Sequence, residues 1–206
     1  MVFPYDFLDS MMWSIFASGL LVGIAALRLP LKASTDSVEE KGRNLSIGLA
    51  IAIGAMGFYF FITGITISFT WSLGFPPGSQ FADPYRFGYF NVLYGGAAGL
   101  GGIVLLALAA ALFLNKGFHG VSYLALAVGL YLAVDAVAIT QYNLVFDRSQ
   151  LVSLLYLGPA AAGIFSVPAT HMDNKFMRWI FAIFAFLFAV AWLYFGYLTT
   201  MSHLKP

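Results

Sequence analysis

The sequence predicts an all-α integral membrane protein, a bundle of six transmembrane helices without soluble domains. Hydrophobic residues make up 61% of the 206 residues and charged residues only 9%, whereas roughly a quarter of an ordinary soluble domain is charged. Segments without charges recur along the chain at the length that crosses a bilayer, about 20 residues. These observations exclude a soluble enzyme. The net charge of +1 leaves no basic face for nucleic acid.

Three of the six segments carry a feature that interrupts the apolar pattern. Asp9 lies near the start of the first helix, Asp135 lies within the fourth, and Pro159 lies within the fifth. A kink is expected at Pro159, where neighbouring groups must satisfy the carbonyl that proline leaves without a partner. The connections are too short for a soluble domain, so residues 1–206 form one transmembrane domain. The predicted helices span about residues 8–27, 45–69, 87–114, 121–143, 150–169 and 177–201.

Positive charges predict the orientation of these helices. Seven of the ten Lys and Arg residues lie in the connections after helices one, three and five. Positively charged connections are retained on the cytoplasmic side. Both termini are therefore predicted to be extracellular.

Small residues recur at the spacing at which membrane helices pack. Gly19 and Gly23 lie four residues apart in the first helix, as do Gly95 and Gly99 in the third, and Gly102 continues the second series. Because lipid tails are as apolar as leucine, close backbone approach through small residues is a major source of helix association in a bilayer. These faces are predicted to be packed, within one subunit or against a partner subunit. The sixth helix is apolar all round and is expected to face lipid or to lie between subunits.

Asp135 is the most informative single residue. An ionised carboxylate inside a membrane helix costs roughly 2.5 to 3.5 kcal/mol on insertion scales, and such residues usually face a bundle interior. Tyr131 and Tyr142 lie within about 40° of Asp135 on a helix of 100° per residue, which predicts an inward polar stripe. This site is interpreted as a proton-exchanging or quinol-contacting group, or as a neutral carboxyl group hydrogen-bonded to another helix.

The sequence predicts no cofactor and no metal site. It contains no cysteine, and therefore no iron–sulfur ligands. His119, His171 and His203 fall at helix ends or beyond, whereas a haem held by two imidazoles needs histidines inside facing helices. The cluster His171 to Asp173 is interpreted as a solvated turn, because ligands this close in sequence rarely form a site alone.

A second candidate site lies in the connection from Thr70 to Arg86 and the start of helix three. The connection is longer than a minimal hairpin, and long loops in compact proteins are often functional. Trp71 precedes the connection's prolines, and Asn91 and Tyr94 enter the membrane after it. This region is predicted to close a ligand site, to dock a partner, or merely to cover helix ends.

The chain as a whole resembles a family of small six-helix polytopic membrane proteins of unknown function, found mainly in archaea and in some bacteria. The resemblance covers nearly the whole chain, including the helix-two ending GITISFTWSL and the segment FNVLYGGAAGL. Its distinctive matches are Trp71, Pro76, Pro77, Gly78, Asn91 and Gly95. An acidic residue expected shortly after Asn91 is absent, since Tyr94, Gly95 and Gly96 occupy that place. The resemblance implies a prokaryotic plasma membrane and supplies no reaction.

Three functions are compatible with these features. The first is a non-catalytic accessory or structural subunit of a larger membrane complex, respiratory or otherwise oxidoreductive, with the bilayer, other membrane subunits and a quinone or structural lipid as partners. The second is a small proton- or cation-coupled transporter or channel that uses Asp135. An enzyme acting on lipid or quinone ranks last, because no nucleophile and base pair or metal site is identifiable.

Overall fold

The computed structural model describes residues 7–29, 40–70, 91–144, 149–172 and 174–203. Throughout these ranges the regular structure is helical, without strands. The π-helix Asn91–Gly96 leads directly into α3. The α-helices are α1 (Phe7–Arg28), α2 (Glu40–Thr70), α3 (Ala97–Phe113), α4 (His119–Gln141), α5 (Ser149–His171) and α6 (Lys175–His203).

The prediction of six helices long and apolar enough to cross a membrane is confirmed. The helix ends lie within a few residues of the predicted ones, except at the start of helix three. Residues 87–90 lie outside the described ranges, and residues 91–96 begin the third helix as a π-helix that continues into α3. Two side chains of other helices donate hydrogen bonds to its carbonyl groups, at Val92 and Leu93, which stabilises a conformation that is rare in isolation.

The helices form a closed ring in chain order. Each one packs on the helices before and after it, and α6 packs on α1. The most extensive contacts join α2 to α3, α4 to α5 and α1 to α6. The ring is therefore built from three tight helix pairs joined by looser contacts.

Glycines allow close approach in the α1–α6 pair. A Cβ atom on Gly19 would lie 2.9 Å from the carbonyl oxygen of Ala185, and one on Gly23 would lie 2.6 Å from a ring carbon of Phe186. Real Cβ atoms do not approach other atoms this closely. The structure thus places both glycines at a helix interface within one chain.

The α2–α3 pair uses glycines on both helices. Cβ atoms on Gly95 and Gly102 would lie 3.0 Å from the carbonyl oxygen of Gly64 and 2.7 Å from that of Gly57. Gly99 differs, because a Cβ atom there would meet nothing within 4 Å. Its backbone instead faces the position that a side chain on Gly64 would occupy.

The α4–α5 pair has an equivalent contact that the sequence analysis missed. A Cβ atom on Gly129 would lie 2.8 Å from the carbonyl oxygen of Ala160, and one on Gly163 would lie 2.5 Å from that of Ala125. These two glycines face each other across the pair. Each tight pair of the ring therefore depends on glycine.

Asparagines end α3 and α4 in the same way. Asn115 and Asn143 have φ angles of 50° and 48°, in the left-handed region that asparagine adopts more readily than most residues. The amide groups of Lys116 and Leu144, one residue later, donate to the carbonyl oxygens five residues back, at 2.8 and 3.1 Å. These bonds satisfy carbonyl groups that a helix end leaves open.

The two faces of α6 differ in their surroundings. One face packs on α1 and α5 through small residues, since Ala182, Ala185 and Ala189 are at most 2% exposed. The opposite face is open to the surroundings. The sequence does not reveal this difference, because the long central part of the helix is apolar on every side. The exposed residues include Ile183, Leu187, Val190 and Tyr194.

Candidate ligand site

A cavity of about 270 Å³ lies inside the ring and is lined by residues of all six helices. Met12, Tyr156 and Trp192 line one end, which we call the Tyr156 end. Phe118 and Thr170 line the other, which we call the Phe118 end. The cavity therefore follows the long axis of the helices.

The wall of this cavity is almost entirely apolar. Its serine and threonine hydroxyl groups donate to backbone carbonyl oxygens, as Ser18 does to Ser14 at 2.8 Å and Ser122 does to His119 at 2.7 Å. Water in a cavity needs two to four polar partners, and apolar cavities stay dry. This space is thus suited to a hydrocarbon group and not to an ion or a chain of water molecules.

Tyrosines of two helices hold the π-helix at the Tyr156 end. The hydroxyl group of Tyr131 in α4 donates to the carbonyl oxygen of Val92 at 2.9 Å. The hydroxyl group of Tyr156 in α5 donates to that of Leu93 at 2.7 Å. These bonds tie α4 and α5 to the segment from which α3 begins.

Asp135 lies next to these tyrosines. Its side chain is 6% exposed and contacts the Tyr131 hydroxyl group. The Tyr131 hydroxyl group thus lies within reach of both the Asp135 carboxyl group and the Val92 carbonyl oxygen, to which it donates. Its other oxygen, Oδ2, is buried without a hydrogen-bond partner among the described residues.

The position of Asp135 relates it to the cavity. Ala125, Val128 and Leu132 line the cavity from α4. Asp135 follows Val128 by seven residues and so lies on nearly the same face of the helix, one turn beyond Leu132. Tyr156, which lines the cavity, interacts electrostatically with Asp135. Asp135 therefore sits just beyond the Tyr156 end.

The structure combines parts of both predicted sites. Tyr94 of the second site lines the cavity. Tyr94, together with Tyr131 and Asp135 of the first site, interacts electrostatically with Tyr156. Tyr142 does not join them, because it follows the end of α4 and is 67% exposed.

The side chains of two residues of the second predicted site are not described. Trp71 lies outside the described residues, and of Asn91 only the backbone is described. Sequence reasoning missed Tyr156, although a phenol within a predicted membrane helix was the available signal. Its role depends on the rotation of α5, which the apolar pattern does not fix.

Two histidines, His119 and His171, lie near the Phe118 end. The rings of His119 and His171 are 4.5 Å apart in an edge-to-face arrangement. His171 Nδ1 lies 3.0 Å from both Thr170 Oγ1 and the carbonyl oxygen of Val167. Asp173 lies outside the described residues, and the described ranges contain no group of three potential metal ligands.

The chain matches one protein family over residues 1–206, described as "Protein of unknown function (DUF981)". No curated protein and no solved structure matches it.

Proposed function

Since the chain belongs over its whole length to the DUF981 family of unknown function, we propose from its geometry that it is a membrane protein that holds a lipophilic molecule inside its ring of helices. The observation that carries this proposal is the apolar cavity of about 270 Å³ bounded by all six helices. An engineered apolar cavity of about 150 Å³ already binds benzene. A hydrocarbon chain of a membrane lipid or a quinone is the chemically matched occupant.

Energetics support an occupied cavity. Side chains that line unfilled volume lack dispersion contacts on that side. A bound chain restores such contacts. The same cavity argues against conduction of ions, because its wall offers no ring of charges or carbonyl groups.

The test is whether filling the cavity prevents lipid retention. Gly101 lines the cavity, and a Cβ atom there would meet nothing within 4 Å, so Gly101→Phe projects a ring into open space. Gly48 is equally free of neighbours but lies outside the cavity, so Gly48→Phe is the matched control. Native mass spectrometry should show a lipophilic molecule on the wild type and on Gly48→Phe, and its loss from Gly101→Phe. Equal retention by both variants would sink the proposal.

The biological setting proposed for this binding is a non-catalytic accessory subunit of a larger membrane complex, respiratory or otherwise oxidoreductive, in a prokaryotic plasma membrane. It is supported by the commitment of the tyrosine hydroxyls at Tyr131 and Tyr156 to backbone carbonyls, which suits a holding role. Mild detergent extraction followed by native electrophoresis should find the chain together with larger subunits. Migration as an isolated chain or homo-oligomer would count against this setting.

A second candidate function is proton- or cation-coupled transport through Asp135. It is favoured by the buried Oδ2 atom without a partner, since buried acids in membrane helices often mark transport pathways. Liposomes containing the protein would then show pH-dependent flux that Asp135→Asn abolishes. Unchanged flux in that variant would remove this candidate.

A further inference from the structure

One carboxyl oxygen of Asp135 lacks a hydrogen-bond partner among the described residues. This atom is Oδ2, which is buried. Leaving a buried acceptor unsatisfied costs about 1 to 3 kcal/mol, and more when the group is charged. Oδ2 is an acceptor when the carboxyl group is ionised, and also when the group is neutral with its proton on the other oxygen. In both states the missing partner is a hydrogen-bond donor.

The protein side chains next to Asp135 do not supply that donor. The protons of Tyr131 and Tyr156 are directed at Val92 and Leu93. The nearby Ser153 hydroxyl donates to the carbonyl oxygen of Ala136 at 2.7 Å. Among the described residues no donor reaches Oδ2, which leaves a bound molecule as the candidate donor.

Asp135 lies near the Tyr156 end of the cavity, although it is not itself one of the lining residues. The apolar wall ends at Leu132, Tyr94 and Tyr156, and Asp135 follows one helical turn beyond Leu132. An amphiphile whose chain fills the cavity would bring its polar end to this carboxyl group.

We infer that the ligand is an amphiphile with an uncharged hydroxyl head group, such as a long-chain alcohol or a quinol, whose hydroxyl donates a hydrogen bond to Oδ2 of Asp135. The inference rests on the proposed function, because it assigns the polar end of the molecule that the cavity holds. A ligand with only ether, ester or ketone oxygens would place an acceptor against an acceptor. An ammonium head group would require the burial of two charges, each of which loses hydration worth several kcal/mol.

Matched probes test the head group separately from the chain. The purified full-length protein is titrated in detergent with decan-1-ol and with decyl methyl ether, which share the chain and differ in the hydroxyl proton. Binding is followed by native mass spectrometry. One hydrogen bond to a buried acceptor corresponds to about a tenfold preference of the wild type for the alcohol.

Two substitutions of Asp135 and one control identify the acceptor. In Asp135→Leu the preference should fall to about one while the ether still binds. In Asp135→Asn, which keeps the size of the side chain, the amide can donate to the ether oxygen, so the preference should also fall. Ser18→Ala removes a cavity hydroxyl that is already bonded to Ser14 and should leave the preference unchanged.

Failure of the inference is distinguishable from failure of the proposed function. Equal binding of alcohol and ether to the wild type, blocked by Gly101→Phe, would overturn the hydroxyl assignment and leave the cavity as a chain site. Tighter, Asp135-dependent binding of decylamine would overturn it in favour of a cationic head group. Absence of binding by every probe, with Gly101→Phe behaving like wild type, would overturn both. Asp135→Asn provides the readout if Asp135→Leu does not fold.

Discussion

The indole Nε1 of Trp192 donates a hydrogen bond to the carbonyl oxygen of Leu155 at 3.3 Å. Leu155 precedes Pro159 by four residues, so its carbonyl is the one that loses its helical N–H partner to the proline ring. Trp192 is only 7% exposed and lies on α6, the neighbour of α5 in the ring. The ring thus satisfies a backbone group that α5 cannot satisfy by itself, while α5 continues through Pro159 and Pro168.

This relationship predicts a coupling between the two helices. Trp192→Phe should lower the free energy of unfolding by about 1 kcal/mol in the wild type, because the Leu155 carbonyl loses its donor. In Pro159→Ala the restored N–H can bond Leu155, so the same change should cost less. A double-mutant cycle of unfolding in SDS measures the difference, with the exposed Trp179→Phe as control. Additive effects would contradict the proposed role of the indole.

Replacement of glycine by alanine should raise the free energy of unfolding at one position of α4 and lower it at another. Gly120→Ala in the first turn of α4 meets nothing within 4 Å and should stabilise the protein by up to about 1 kcal/mol, through helix propensity. Gly129→Ala places a methyl group 2.8 Å from the Ala160 carbonyl oxygen and should destabilise it by about 1 to 3 kcal/mol. Thermal unfolding in detergent compares the two. Equal shifts would mean that α4 and α5 do not approach at Gly129.

The hydroxyl group of Tyr156 should stabilise the structure more than that of an exposed tyrosine. Tyr156→Phe leaves the Leu93 carbonyl oxygen without its 2.7 Å hydrogen bond and should cost about 1 kcal/mol. Tyr142→Phe, at a position that is 67% exposed, should change stability by less than about 0.5 kcal/mol. The rate of hydrogen exchange of the π-helix amides provides a local measurement. This rate should rise in Tyr156→Phe and stay unchanged in Tyr142→Phe.

Arg178 should act as a cap for α1. Its guanidinium group donates to the carbonyl oxygen of Ala26 at 2.6 and 3.1 Å and to that of Leu29 at 2.6 Å, at the helix end where positive charge is favourable. Arg178→Ala should lower the free energy of unfolding by about 1.5 to 3 kcal/mol, and Arg178→Lys by less, because the charge remains without the planar fork. Lys175→Ala, at an exposed position, serves as the control. If Lys175→Ala lowers the free energy of unfolding by as much as Arg178→Ala, the effect comes from the loss of positive charge in this region and not from capping of α1.

The predicted orientation can be tested because the chain has no cysteine. Tyr142 and Lys116 are both exposed and end successive helices, α4 and α3. With both termini extracellular, an impermeant maleimide should label Tyr142→Cys in intact cells and Lys116→Cys only after permeabilisation. The reverse pattern would invert the orientation and place the Tyr156 end of the cavity at the cytoplasmic side.

The sequence by itself determined the number and approximate position of the helices. Hydropathy and length suffice for that result, because a bilayer-spanning helix must be apolar over about 20 residues whatever it packs against. Asp135 could also be predicted as a site residue, since a carboxylate is rare within an apolar membrane helix. The glycines of α1 and α3 were readable from their spacing.

Only the tertiary structure decided which groups meet. Hydrophobicity fixes the rotation of a helix when one face is polar, but these helices are apolar on nearly every side, so their rotation is set by shape. Close packing at Gly129 and Gly163 turns Tyr156 toward the π-helix, and the end of α4 leaves Tyr142 outside. The donor for Leu155 likewise comes from a residue 37 positions away in the chain. Such contacts depend on the fit of neighbouring surfaces, which no periodicity within a single helix encodes.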